Sequence, residues 1–222
     1  MRKLLVSLGI GVFLGLAFAL TKTPSEPTYN GKRLGEWLAD RRFNERGQIV
    51  LSEPSVEAVR AIGTKALPSL LTMLRSSDSP TKMKLAVLLA RYPHLCRCIP
   101  TNGERRSRAV YGFRALGADA KPAFPDIVKM VLASDDYGDP INALTRADQD
   151  AITLLARGLE DKDPKVRVRA AFALGCLRQA PSISVPALTR AVSDPDSRVQ
   201  AGAAGSLGCY GPITNHIPTG QQ

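Results

Sequence analysis

Three regimes of hydrophobic and polar positions follow one another along this 222-residue chain. Leu4 to Leu20 is a 17-residue run without charge, interrupted only by Ser7 and three glycines. Residues 21–52 are mixed and mostly polar. Within them Tyr29-Asn30-Gly31 predicts a turn, and Leu34-Gly35-Glu36-Trp37-Leu38 predicts one short amphipathic helix ending near Phe43, docked through Trp37 and Leu38. From about residue 53 to 210 the apolar positions recur at helical spacing. Val166, Ala170, Ala171 and Leu174, for example, fall within one stripe at about 100° per residue.

That third region repeats. Laying Asp163–Cys176 over Asp196–Cys209, an offset of 33 residues, matches Asp with Asp, Val166 with Val199, Ala170-Ala171 with Ala203-Ala204, and Leu174-Gly175-Cys176 with Leu207-Gly208-Cys209. Looser copies end at Ala61-Ile62-Gly63 and Ala115-Leu116-Gly117. A period near 30 to 40 residues denotes stacked supersecondary units. Each copy reads as a first helix, a turn, and a second helix opened by proline: Pro68 before Leu70, Leu71 and Leu74, Pro125 before Ile127, Val128 and Val131, and Pro186 before Leu188 and Val192. A fourth copy places Thr153, Leu155 and Leu159 at the same positions. Helix starts are expected at Ser79-Pro80, Asp139-Pro140, Asp163-Pro164 and Asp194-Pro195, because the polar side chain accepts from an orphan amide and proline has no amide to orphan. The first helix near 139–147 is short, and residues 93–104 are an insertion.

Composition fits this reading. Aromatics are 5% with a single Trp, so Ala, Leu and Val must fill the core, which suits close helix packing better than a β-sandwich. The formal charge is +10, and removing residues 1–27 still leaves +8, so the basic character belongs to the folded part and favours acidic partners.

The pattern Asp-x-x-Val-Arg-x-x-Ala-x-x-x-Leu-Gly, as in Asp163, Val166, Arg167, Ala170, Leu174 and Gly175, followed by Pro186-Ala187-Leu188, resembles HEAT repeats of the phycobilisome-lyase type. The resemblance covers roughly residues 53–210 and is densest in the last two copies. The leader Pro27-Thr28-Tyr29-Asn30-Gly31-Lys32-Arg33-Leu34, with Trp37-Leu38, is similar to the segment preceding the repeats in membrane-anchored bacterial HEAT-repeat proteins. The resemblance implies an all-α fold, a right-handed α-α superhelix behind an N-terminal hydrophobic segment, serving as a binding scaffold. It supplies no reaction. One departure is Gln200, which stands where Arg167 sits in the preceding copy and interrupts any arginine ladder.

The expected organisation is a signal anchor or signal peptide over 1–20, a linker and docking helix over 21–52, the HEAT-like solenoid over 53–210, and a tail over 211–222. An uncleaved anchor is the favoured reading of the apolar run, and Arg2 and Lys3 ahead of it stay cytoplasmic, which puts the repeats on the exported side. Ala17-Phe18-Ala19 fits a cleavage site, so the alternative is a secreted or periplasmic chain. A buried core helix is the third reading of this run.

Candidate chemistry is sparse. His94, Cys96 and Cys98 alternate within the insertion, but a closed zinc site needs four ligands, and only Cys209 and His216 remain as distant candidates. Cys176 and Cys209 hold one position in successive repeats, about 8–10 Å apart across stacked helices, too far to bridge. Ala204-Gly205-Ser206-Leu207-Gly208 approximates a nucleophile elbow, yet no strand precedes it, and the repeat explains Leu207-Gly208. Asp148, Asp150, Asp161 and Asp163 read as helix-start and turn residues. No catalytic, cofactor or metal residue is therefore assigned, and the chain is read as no enzyme. One positional signal stands out. Four residues beyond the proline position the second helices carry Thr72, Lys129, Arg157 and Arg190, and Lys129, Arg157 and Arg190 are the expected partner-binding residues, since the resemblance puts second helices on the surface that receives partners. Arg105, Arg106, Arg108 and Arg114 read as a solvated cluster. The expected function is a non-catalytic, membrane-associated interaction scaffold for an acidic protein, with nucleic-acid binding as the alternative. Helix 197–209 lacks a covering second helix, so the tail is expected to fold back through Ile213 and Ile217, or the end to self-associate.

Overall fold

The computed structural model describes residues 26–76, 102–135 and 137–211. The chain enters through two small hairpins, where only a turn and a helix were expected. Asn30 (φ 47°) and Gly31 (φ 76°) occupy the left-handed region that a two-residue hairpin turn requires, and they join β1 (Thr28–Tyr29) to β2 (Lys32–Arg33). Helix α1 (Leu34–Ala39) follows directly. Its Leu34 and Leu38 are fully buried and anchor it. Trp37 is half-buried, donating from Nε1 to the Tyr29 carbonyl (3.1 Å) with the Lys32 ammonium 4.6 Å above its ring.

Helix α1 stops at Ala39 rather than near Phe43, because the next residues form a second hairpin. Strand β3 (Arg41–Phe43) pairs antiparallel with β4 (Ile49–Leu51), Arg41 facing Leu51, Arg42 facing Val50 and Phe43 facing Ile49. The connecting loop is built by Asn44, whose Oδ1 accepts from the amides of Arg46 (3.0 Å) and Gln48 (2.8 Å), and by Gly47 at φ 70°. The β-branched Ile49-Val50 beside this polar turn was the strand signal in the sequence.

The remaining described residues are mainly helical. Pairs form from α2 (Glu53–Ile62) with α3 (Leu67–Leu74), α4 (Asn102–Leu116) with α5 (Phe124–Ala133), the six-residue α6 (Gly138–Ala143) with α7 (Gln149–Arg157), and α8 (Pro164–Leu177) with α9 (Pro181–Ala191), before α10 (Ser197–Gly208). Each pair packs on its neighbours in the chain, and one buried cluster runs from Leu34 to Ala203. The stripe expected on α8 is present, with Ala170, Ala171 and Leu174 fully buried. Asp163 caps α8 by accepting from the Lys165 amide (2.9 Å), and Asp148 caps α7 from Ala151 (3.0 Å). Two other starts shift. Helix α10 is capped by Asp196 rather than Asp194, and α6 begins after Tyr137 rather than at Asp139; both displaced aspartates receive arginines instead. Pro186 lies inside α9, which starts five residues earlier at Pro181.

The glycine that ends the repeat motif takes two conformations. Gly63 (φ 61°) and Gly117 (φ 58°) terminate α2 and α4, and the chain continues through 3₁₀ turns Gly63–Ala66 and Gly117–Ala123. Gly175 instead remains inside α8. A Cβ there would lie 2.9 Å from the Ser206 Cα, so its bare backbone is what lets α10 approach, and the buried Ser206 hydroxyl donates to the Ala171 carbonyl at 2.8 Å.

The expected membrane anchorage is corrected. Among the described residues no helix is long and apolar enough to cross a membrane. The longest of them, α4, has 15 residues including four arginines, whereas a span needs about 20 apolar ones. Residues 1–20, on which anchorage and export rested, lie outside the described residues, as do Ser79-Pro80, His94, Cys96, Cys98, Ile213, His216 and Ile217.

Candidate functional site

The three cations singled out by the repeat register all reach the surface. Lys129 on α5, Arg157 at the end of α7 and Arg190 on α9 are exposed, and α5 packs on α7 and α7 on α9, so the three lie on consecutive second helices. Their internal pairings are weak. Lys129, with its side chain 79% exposed, is 3.8 Å from Asp126 one turn back, and Arg190 is 3.8 Å from the equally exposed Glu160. Arg157 has no carboxylate partner among the described residues. Ion pairs this long and this exposed hold little energy, so the charges are available to another molecule. Thr72, the fourth member, turns its hydroxyl back to the Pro68 carbonyl (2.8 Å) and contributes no charge.

Other arginines do different work, and here the sequence reading is corrected. Arg106 and Arg108 are not solvated. Arg106 donates to Asp139 (3.0 Å) and to the Ser76 carbonyl (3.1 Å), tying the end of α3 to the start of α6, while Arg108 shares Glu104 with Arg41. The Arg108 hydrogen bond holds the Glu104 carboxyl below its usual range. Arg167 grips both oxygens of Asp194 (2.8 Å each) and donates to the carbonyls of Asp161 (2.9 Å) and Lys162 (3.2 Å), thereby joining the loops before α8 and before α10. The buried Arg169 reaches the Leu132 carbonyl (2.8 Å) and Asp135 at the end of α5. In the next copy Gln200 takes the place of Arg167 and donates to the Asp194 carbonyl (2.6 Å), so the ladder ends in a neutral rung. Arg106, Arg108, Arg167 and Arg169 sit on first helices, whereas Lys129, Arg157 and Arg190 sit on second helices.

These staples fix the local acids. The Arg167 guanidinium depresses the Asp194 carboxyl, and Arg198 lowers Asp196 to about 2. Asp148, Asp161 and Asp163 all receive backbone amides, as their helix-start role requires, and Asp148 with Asp150 also brackets Lys121 (2.9 and 3.3 Å). Cys176 and Cys209 are free exposed thiols. Ser206 of the elbow-like string is buried in helix packing. Among the described residues no group of three or more His, Cys, Asp or Glu is placed to hold a metal ion.

A groove of about 740 Å³ lies under the β3–β4 hairpin, a feature that the residue pattern alone does not predict. It is walled by Arg42, Phe43 and Ile49 on one side and by Val56, Arg60, Tyr111 and Arg114 on the other.

No curated protein matches the chain. Residues 152–215 match the family described as HEAT repeats. That stretch spans most of α7 and all of α8, α9 and α10, where the 33-residue offset and the Arg167 staple are found, and the match supports the chain as a mostly helical HEAT-repeat protein.

Proposed function

We propose that the chain is a non-catalytic scaffold whose repeats, of the phycobilisome-lyase HEAT type over residues 53–210, wind as a right-handed α-α superhelix and bind an acidic partner protein through Lys129, Arg157 and Arg190. HEAT repeats generally serve as protein-interaction scaffolds, which supports the class of function. The observation that carries the site is the row of exposed, weakly paired cations on three second helices packed in series. A partner carboxylate meeting one of them displaces only a long, solvated ion pair, so the exchange is favourable at low salt and fades as salt rises.

The test is the triple variant Lys129→Glu, Arg157→Glu, Arg190→Glu, which should unfold within about 0.5 kcal/mol of the wild type because the sites are exposed. Affinity capture with both proteins, at low and high salt, should show acidic proteins retained by the wild type and lost by the variant. An identical protein set from both, or loss of nucleic acid alone, overturns the reading.

A further inference from the structure

We infer that the groove under the β3–β4 hairpin is a second docking site, for an extended segment of a partner protein in which carboxylates flank a large apolar side chain. Side chains alternate along a strand, so Arg41 and Phe43 share one face with their partners Leu51 and Ile49. Leu51 is buried in the core, which identifies that face as the one turned toward the helices. Yet Phe43 is 73% and Ile49 43% exposed. The hairpin thus overhangs the helical body, and its inward apolar face stands off α2 and α4 instead of sealing against them. Below the overhang, Val56 and Tyr111 offer a part-buried apolar floor. The base of the hairpin is pinned by the Arg41 to Glu104 ion pair (3.2 Å), and the far wall by Arg60, whose Nε donates to the Ala115 carbonyl (3.2 Å). The groove is therefore built into the framework.

Charge selects the occupant. Four arginines (Arg42, Arg46, Arg60, Arg114) line the groove against two acids, Glu45 and Glu53. Only Arg42 pairs with a carboxylate among the described residues, at 3.6 Å to the exposed Glu53. Other stretches of this chain do not complement such a surface. Residues 1–25 carry Arg2, Lys3 and Lys22 and no acid, residues 77–101 set Asp78 against Lys82, Lys84, Arg91 and Arg97, and residues 212–222 have no acid at all. A second copy, at +10, is repelled overall. An acidic segment that places an apolar side chain between Phe43, Ile49, Val56 and Tyr111 meets both requirements. Apolar contact with exposed aromatic surface supplies the affinity, and the arginines supply register.

The probe is a fluorescein-labelled synthetic decapeptide alternating glutamate with leucine and phenylalanine, titrated with the full chain and followed by anisotropy. Controls are a peptide with serine in place of the apolar residues and a single-stranded oligonucleotide of equal charge. Saturable binding of the first peptide should weaken at least about tenfold in Phe43→Ser and in Arg46→Glu/Arg114→Glu. These substitutions are at exposed side chains, and their melting curves should overlay the wild type. The Lys129, Arg157, Arg190 triple variant should bind the peptide as the wild type does, so this site and the second-helix face succeed or fail separately. Absence of saturable binding, equal binding of the serine peptide, tighter binding of the oligonucleotide by the same residues, or indifference to both groove variants each overturns the inference.

Discussion

The same sequence ending, an apolar residue followed by glycine, does opposite things in the two halves of the repeat region. In the first half, Ile62-Gly63 and Leu116-Gly117 stop the helix, the glycine adopting a positive φ that L side chains avoid. In the second half, Leu174-Gly175 continues the helix, and the missing side chain is used for contact with α10. What differs is what lies across from the glycine. Among the described residues, nothing lies within 4 Å of a Cβ built on Gly63 or Gly117; Gly175 faces Ser206 at backbone distance. At Gly63, Gly117 and Gly175 the motif glycine therefore marks a place where the backbone must be bare, for turn or for contact, whereas Gly208 meets neither demand.

The contrast can be broken most forcefully at Gly175. Gly175→Leu places side-chain carbons where the Ser206 backbone stands, so α10 must lift off, and chemical denaturation should show a loss of about 3 kcal/mol or more. A loss no larger than that of a surface substitution would show that α10 is free to shift.

Next in size is the staple specific to the second half. In Arg167→Ala, Asp194 loses its guanidinium and the loops before α8 and α10 lose their tie, so the melting midpoint should fall further than in Arg198→Ala, which removes only a local pair. The acid side sharpens this. Asp194 and Asp196 are depressed below the ordinary carboxylate value of about 3.9 in the folded chain, Asp196 to about 2. Their contribution is fully present above that ordinary value and is lost as pH falls through the folded values. Wild-type stability should therefore decline between about pH 4 and 2, and Arg167→Ala should decline less over the same interval; equal slopes would remove the staple from the account.

The smallest effect belongs to the first half. Gly117→Ala meets no atom but forces alanine to a φ of 58°, for an expected cost of about 1–2 kcal/mol measured by the same denaturation. A neutral outcome would mean that the end of α4 relaxes to negative φ.

Much of the helical scaffold was legible because periodicity and capping chemistry are local. The α8 stripe, the Asp163 cap and the short α6 follow from residue spacing alone, and register placed Lys129, Arg157 and Arg190 on exposed helix surface. Features set by distant partners were not legible. Asp194-Pro195 carries a perfectly good start signal, but Asp194 is claimed by Arg167, 27 residues away, and the cap moves to Asp196. Arg106 and Arg108 look like surface charge until Asp139 and Glu104 are brought beside them. The hairpin was missed because its strands are three residues each, too short for alternation to show, and with it went the groove.

Helix α10 is tied to α8 by a group that titrates on the alkaline side. Tyr210, just past α10, sends its hydroxyl back to the Leu174 carbonyl of α8 (2.7 Å), and burial raises its phenol above the ordinary range. A raised folded value means the contribution is whole below the unfolded phenol's pKa of about 10 and is lost as pH climbs through the folded one. Ionisation would put an anion against a carbonyl oxygen, so the contact between α10 and α8 should loosen in base. One repeat junction, with Asp194 and Asp196 at one end and Tyr210 at the other, thus loses contacts both in acid and in base.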